Sequence, residues 1–315
     1  MAETQVIPAD AVERSWVDRA PARWQPYLRL ARLDRPIGTW LLFWPCVFGL
    51  ALGAATQQRG LFSAPRDWLL LLLFALGAIV MRGAGCTYND IVDRDIDARV
   101  ERTRGRPIPS GAITIKQAWQ FAAAQCAVGL AILLCLNGFS IALGALSLIL
   151  IGIYPFMKRV TWWPQAWLGL TFNWGALLGF AAQADRISAA ALVLYAGCFF
   201  WTLGYDTIYA LQDIEDDALA GVKSTARLFG RHARTWILLF YLMAFGFLAA
   251  AAGFGFRSGI AALLLLPVLA HFIWQARQLD IEDARLSLKL FRANRDAGAL
   301  IALALLVSSW LGHLS

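Results

Sequence analysis

The chain has 315 residues, of which 59% are hydrophobic and 16% charged, and its mean hydropathy is +0.57. That is too apolar for an ordinary water-soluble domain and predicts an all-α polytopic membrane protein. The net charge of +7 would suggest nucleic acid in a soluble chain. In so apolar a chain it fits basic loops against anionic lipid, and no nucleic-acid partner is expected.

Residues 1–24 are expected to be a flexible, poorly ordered segment. The stretch to Asp18 has acids and no apolar h-region, so it does not read as a secretory signal. Trp24, Tyr27, Leu28 and Leu30 lie among arginines and predict a short interfacial helix. From residue 25 to 315 a single transmembrane domain is expected. Apolar runs fall near 37–56, 68–88, 117–136, 138–157, 164–184, 188–210, 235–254, 259–275 and 296–313. Each is about as long as a helix needs to cross roughly 30 Å of hydrocarbon, which predicts nine helices in one bundle. Five cysteines (Cys46, Cys86, Cys126, Cys135 and Cys198) lie in or at the end of these runs without metal-ligand spacing. They are expected to be small buried residues with no disulfide framework.

Lysines and arginines set the orientation. With the N-terminus inside, the inner segments hold six, six, two, four and five of them, 23 in all, against 4 on the outer side. The positive-inside rule therefore puts the N-terminus in the cytoplasm and the C-terminus outside.

Two acidic stretches then share the cytoplasmic side. The first ends the second span, where Asn89, Asp90, Asp93, Asp95 and Asp97 occur within nine residues. On a continuous helix Asn89, Asp93 and Asp97 share one face. Stacked carboxylates repel each other, and the negative end of the helix dipole worsens their position, so a positive partner is required. Interleaved arginines (Arg94, Arg99, Arg102, Arg104 and Arg106) or a metal could supply it. Oxygen ligands without His or Cys point to Mg²⁺ or a similar hard cation. The second stretch ends the sixth span with Asp206, Asp213, Asp216 and Asp217. On a regular helix Asp206, Asp213 and Asp217 fall within about 40° of one face. Acids at membrane depth usually mark a functional site. Two such helices facing each other would hold Mg²⁺ and a diphosphate, with Lys and Arg as further contacts.

The basic positions have two readings each. Arg-Pro-Ile-Pro-Ser-Gly at 106–111 fixes a turn beside the acids and serves either topology or phosphate contact. Lys158 and Arg159 follow Tyr154-Pro-Phe-Met and are anchors or diphosphate contacts. Arg32-Leu-Asp-Arg35-Pro-Ile-Gly38 opens the first span and either starts the helix or binds substrate. Asn173 and Trp174, mid-span, are expected to make structural hydrogen bonds. The three histidines are scattered and define no site.

Asn89-Asp90-x-x-Asp93-x-x-x-Asp97 together with Asp213-x-x-Asp216-Asp217 resembles the UbiA family of intramembrane aromatic prenyltransferases. The stretches at 32–38, 106–111, 154–159, 206–213 and 221–225 are similar to the branch that prenylates 4-hydroxybenzoate, and the resemblance covers roughly residues 30–313. It implies a helical bundle with a central cavity facing the cytoplasm, in a bacterial inner membrane. The substrates would be polyprenyl diphosphate and 4-hydroxybenzoate, joined ortho to the phenol in ubiquinone synthesis with Mg²⁺ as cofactor. Asp93, Asp213 and Arg159 would be catalytic, and Asn89, Asp90, Asp93, Asp97, Asp213, Asp216 and Asp217 would hold metal. Lys158, Arg159, Arg94, Arg106 and Lys223 would contact the diphosphate, and Arg35 and Asp206 the aromatic acid. Some family members place the last acid of the second motif four residues after Asp216, where this chain has Ala220. Either Asp216 or Asp217 could therefore be the ligand, and regular helical geometry favours Asp217.

The chemistry fits these residues. Carboxylate-held metal and nearby cations stabilise a departing diphosphate, and the allylic cation then attacks an electron-rich ring carbon. A naphthoate, a haem vinyl group or a chlorin would be an alternative acceptor. A cation transporter is the rival from another class, but basic residues beside the acids repel a free cation and attract a phosphate. An oxygen-only acid set makes metal dependence the first expectation. Transfer activity in isolated membranes should stop in excess EDTA and return with Mg²⁺ or Mn²⁺; full activity in chelator would remove the metal from the scheme.

Overall fold

A computed structural model describes residues 15–99, 103–219, 221–256 and 259–314, with the backbone alone at 216, 217 and 312–314. Arg102, the side chains of Asp216 and Asp217, and that of His313 lie outside the described residues, as do residues 1–14 of the N-terminal segment. Among the described residues the regular structure is entirely helical. The helices are α1 (Gln25–Leu30), α2 (Ile37–Ala55), α3 (Pro65–Asp97), α4 (Ile115–Leu134), α5 (Gly138–Val160), α6 (Pro164–Phe172) and α7 (Trp174–Ala184). They continue with α8 (Ala189–Ala210), α9 (Ile214–Leu219), α10 (Thr225–Phe229), α11 (Ala233–Phe256), α12 (Gly259–Leu263), α13 (Leu266–Gln278) and α14 (Ala284–Leu314). Ahead of α1, Trp16–Arg19 form a 3-10 turn capped by Ser15, with Val17 buried.

Seven helical stretches among the described residues are long and apolar enough to cross a membrane: Ile37–Ala55, Pro65–Asp97, Ile115–Leu134, Gly138–Val160, Ala189–Asp213, Thr225–Phe256 and Gly259–Gln278. The remaining two expected spans look different. Residues 164–184 form two short helices that meet at Asn173. Asn173 Nδ2 donates to the Gly169 carbonyl at 2.8 Å and to Thr202 Oγ1 at 2.6 Å, the structural bonding expected of it. Trp174 Nε1 likewise donates to the Leu143 carbonyl at 2.9 Å. The run 296–313 is the second half of α14, whose first half carries Arg285, Lys289, Arg292 and Arg295.

The described residues form two compact units, one within 15–39 and 76–132 and the other within 40–75 and 133–314. In the first, Leu30, Ile91, Ile108, Ile113 and Ala118 make a buried cluster, flanked by Tyr27 and Phe121. The two rings meet edge-on at 5.2 Å. This cluster joins α1, the end of α3, the following turns and the start of α4 behind the first acidic stretch. Removing such side chains from water stabilises by about 2 kcal/mol each.

In the second unit α8 packs along α11, where a Cβ on Gly204 would overlap the Tyr241 ring. Several of the polar groups inside this apolar unit are paired. Tyr241 Oη donates to Gln275 Oε1 at 2.8 Å, and Trp201 Nε1 donates to Asn294 Oδ1 at 2.8 Å. Asp67, fully buried, accepts from Arg59 Nη2, Gln183 Nε2 and the Phe62 amide at 2.8, 2.8 and 2.9 Å. An unpaired polar group here would lose its hydration with no return.

The cysteine expectation is corrected. None of the five forms a disulfide, but only Cys46 and Cys198 are buried; Cys86 is half-buried, and Cys126 and Cys135 are exposed. Helix α4 turns most of its apolar side chains outward. An apolar residue in a membrane helix can face lipid, so hydrophobic surroundings in sequence do not imply burial in the protein.

Candidate active site

Helix α3 runs unbroken through the first acidic stretch to Asp97. Asn89 Nδ2 donates to Asp93 Oδ2 at 2.9 Å, so these two positions share a face as the helical spacing predicts. The opposing charge comes partly from outside the interleaved arginines. Asp90, only 1% exposed, accepts from Arg32 Nη2 at 2.6 and 2.9 Å and from Arg106 Nη1 at 3.3 Å. Arg106 Nη1 also donates to Asp97 Oδ2 at 2.7 Å. A buried carboxylate at the negative end of a helix is tolerable only with such charge-assisted partners.

Arg32 reaches Asp90 from an unusual backbone. Its φ is 59°, the left-handed region. The Leu33 amide donates to the Leu28 carbonyl, and the Arg32 amide to the Arg29 carbonyl, both at 3.0 Å. This is the Schellman ending of α1, where glycine is the usual residue. Arginine there costs about 1–2 kcal/mol of backbone strain. The position gains a guanidinium that reaches a buried acid. Arg106 is aimed from the other side by the turns after α3. Thr103 Oγ1 donates to the Asp97 carbonyl at 2.8 Å, and the Arg106 amide to the Thr103 carbonyl at 2.9 Å. Ile108 and Ile113 anchor that segment in the buried cluster.

The other basic candidates of this unit are held differently. Arg35 pairs with Asp34 at 3.1 Å, both buried. Arg94 pairs with Asp95 at 3.4 Å on an exposed part of α3. Arg94 and Arg106, expected alike at a diphosphate, therefore differ: one sits at the surface and the other is locked among the acids.

In the second unit α8 ends at Ala210, and Leu211–Asp213 form a 3-10 turn before α9. The regular-helix spacing assumed for Asp206, Asp213 and Asp217 is thus corrected. A 3-10 turn advances about 120° per residue instead of 100°, which changes the angle between Asp206 and Asp213, while Asp216 and Asp217 follow on the short helix α9. Asp213 is 9% exposed and Asp206 is half-buried.

At the end of α5, Lys158 is half-buried, while Arg159 is exposed and lies over the Phe156 ring at 5.9 Å. Neighbours on a helix point about 100° apart, so the two side chains leave α5 in different directions. Lys223 comes to the same helix end. Its amide donates to the Lys158 carbonyl at 2.9 Å, and its Nζ to the Val160 carbonyl at 3.2 Å. Lys223, expected as a direct diphosphate contact, caps the helix that carries Lys158 and Arg159. Three cations at a helix C-terminus are favoured by the dipole.

The donor chemistry suits magnesium: carboxylates and a carboxamide, all hard oxygen ligands. Among the described residues no three His, Cys, Asp or Glu side chains gather as a metal group. Magnesium commonly takes only one or two carboxylates and completes its shell with substrate phosphate and water, so this arrangement fits it better than it would fit calcium.

In the sequence Arg32 belongs to a stretch that either starts the helix or binds substrate. Its role depends on a contact 58 residues away with Asp90, which no local pattern discloses.

The two units define the class first: an all-helical membrane protein whose acids and guanidinium groups gather at the end of an apolar helix. The fold is that of solved UbiA homologues. One from Aeropyrum pernix K1 matches with a TM-score of 0.68 and 27% identity, covering 83% of this chain and 97% of that one. Another, from Archaeoglobus fulgidus and bound to GPP and Mg²⁺, matches with a TM-score of 0.67 and 19% identity over 92% and 100%. The UbiA prenyltransferase family model matches residues 42–311, and the chain belongs to that family. It is 47% identical to the mitochondrial 4-hydroxybenzoate polyprenyltransferase of Rattus norvegicus, over 93% of this chain and 77% of the relative. To the Arabidopsis thaliana enzyme of the same name it is 46% identical, over 92% and 70%.

The clasp on Asp90 yields a specific expectation. Arg32→Gly keeps the left-handed turn and relieves its strain, yet takes a guanidinium from a buried carboxylate. Breaking a buried pair costs roughly 3–5 kcal/mol. Against about 1–2 kcal/mol of strain relief, the variant should lose about 1–4 kcal/mol, read as a lower Tm in detergent. A melting temperature equal to that of the parent chain would mean that Arg106 alone satisfies Asp90.

Proposed function

We propose that this chain transfers a polyprenyl group from polyprenyl diphosphate to 4-hydroxybenzoate, ortho to the hydroxyl, in ubiquinone synthesis. The observation that carries it is the oxygen-only acid set at the end of α3, with Arg106 held among its carboxylates. Close identity to enzymes named for that reaction supports the choice of substrates.

Asn89 and Asp93 on α3 are the proposed magnesium-holding groups of the first unit, and Asp213 after α8, with Asp216 or Asp217, those of the second. When bound, magnesium would neutralise charge on the leaving diphosphate. Asp90 and Asp97 hold Arg106 at the acid face, and Arg106 and Lys158 add positive charge where the leaving group develops its own. Arg159 and Arg94, both exposed, would meet the diphosphate as it arrives. Arg35 is assigned to the carboxylate of the aromatic acid and Asp206 to its phenol end. Apolar helices around the reacting atoms keep water from the allylic cation. The proposed architecture has nine spans, counting α6 with α7 as one and the second half of α14 as another, in a domain over 25–315. Of the expected N-terminal segment 1–24, residues 15–24 belong to the first unit, with Val17 buried and Asp18 paired to Arg29 at 3.0 Å.

The assay uses membranes containing the chain, polyprenyl diphosphate, and 4-hydroxybenzoate, a naphthoate, haem or a chlorin as acceptor. Prenylated 4-hydroxybenzoate should be the main product, and Asp93→Asn should abolish it with the protein still inserted. Preferred prenylation of another acceptor would overturn the assignment.

The proposed location is a bacterial inner membrane, with the N-terminus and both acidic stretches cytoplasmic and the C-terminus outside. In a background without the native cysteines, Arg104→Cys and Arg231→Cys, both at exposed positions, should react with a membrane-impermeant thiol reagent only in inside-out vesicles. Reaction in intact cells would reverse the orientation.

A further inference from the structure

The segment after the second acidic stretch is fastened at three points. The Lys223 amide donates to the Lys158 carbonyl at 2.9 Å. The Thr225 amide donates to Gln165 Oε1 at 3.0 Å, across 60 residues of sequence. Thr225 Oγ1 lies 2.7 Å from Thr207 Oγ1, one residue beyond Asp206 on α8. Gln165 is 5% exposed, Ser224 2%, and Thr207 and Thr225 are fully buried. Ser224 caps α10 by accepting from the Arg227 amide at 3.3 Å. These bonds tie three chain segments together: the end of α5 with the start of α6, the residue next to Asp206, and the segment bearing Lys223. The buried carboxamide supplies an acceptor to the Thr225 amide at the start of α10, a donor that an apolar residue of the same length would leave unpaired.

We propose that Gln165 is a positioning residue for diphosphate use. Through the Thr225 amide it fixes Lys223 as the cap of α5, and so fixes Lys158 and Arg159 on the last turn. The inference rests on the diphosphate reading of those basic residues. Gln165 does not touch substrate in this scheme. Its loss frees the segment carrying Lys223, uncaps α5 and lets the basic side chains wander from their bound geometry. The aromatic acid is assigned to Arg35 and Asp206, and the Thr207–Thr225 hydroxyl contact beside Asp206 does not involve the Gln165 carboxamide, so its binding should change little.

Two variants cut the same bond from opposite ends. Gln165→Met removes the acceptor at constant length. Thr225→Pro removes the donor at the first residue of α10, where proline is well tolerated. The preceding Ser224 is already extended, with φ −150° and ψ 159°, as a residue before proline must be. Thr225→Pro also removes the hydroxyl facing Thr207, so Thr225→Val, which keeps the amide, is the control for that loss. Steady-state kinetics are measured by varying polyprenyl diphosphate and 4-hydroxybenzoate in turn. Each bond-cutting variant should raise the KM for the diphosphate about tenfold, the scale of one lost hydrogen bond, with the KM for the acid changed less than twofold. The double variant should be no worse than the worse single one, because both act on one bond. Additive losses, equal losses for both substrates, or an unchanged diphosphate KM in Gln165→Met would overturn the positioning role. A wild-type chain that turns over but does not use diphosphate would overturn the functional reading and this inference together.

Discussion

A carboxylate can stand at the end of a long apolar helix only if positive charge is delivered to it, and Asp90 shows how much of the first unit this requires. It is almost completely enclosed, and guanidinium groups reach it from both flanking segments of the chain, Arg32 before α2 and Arg106 after α3. The left-handed backbone at Arg32 and the turns that aim Arg106 both follow from that demand. So does the buried cluster of Leu30, Ile91, Ile108 and Ile113, which holds the two approaching segments against α3. The strain at Arg32 has a local cause and a remote compensation, as strained positions near functional groups generally do.

The second unit meets the complementary demand. The last carbonyls of α5 need donors, and Lys223 supplies two, one from its amide and one from its ammonium group. Capping and charge placement are thus the same event: the residue that satisfies the helix end also sets where Lys158 and Arg159 stand. Elsewhere in the unit, buried Asp67, Asn173 and Asn294 each have hydrogen-bond partners. In a chain surrounded largely by lipid, such pairing is what keeps polar groups inside the fold.

Family membership and the chemistry of the acids agree. Diphosphate departure asks for concentrated positive charge, and magnesium with few protein carboxylates is well matched to a substrate that brings its own phosphate oxygens. A cation pathway would be poorly served by guanidinium groups locked among the acids.

The amino-acid sequence by itself determined the helical membrane class, the run of α3 through Asp97 and the sharing of a face by Asn89 and Asp93. Hydrophobic length and helical periodicity are local properties, readable residue by residue. The sequence also marked the acids and bases as the chemical groups of interest. Only the tertiary structure decided which base meets which acid. Arg32 with Asp90 and Gln165 with Thr225 are contacts across 58 and 60 residues, with nothing local to announce them. The same holds for the break at Asn173, which depends on Thr202 in another helix, and for the 3-10 turn at Asp213, which altered the expected geometry of the second acidic stretch. Cys126 and Cys135 show the remaining limit: an apolar stretch looks the same in sequence whether it faces protein or lipid, and only packing separates the two.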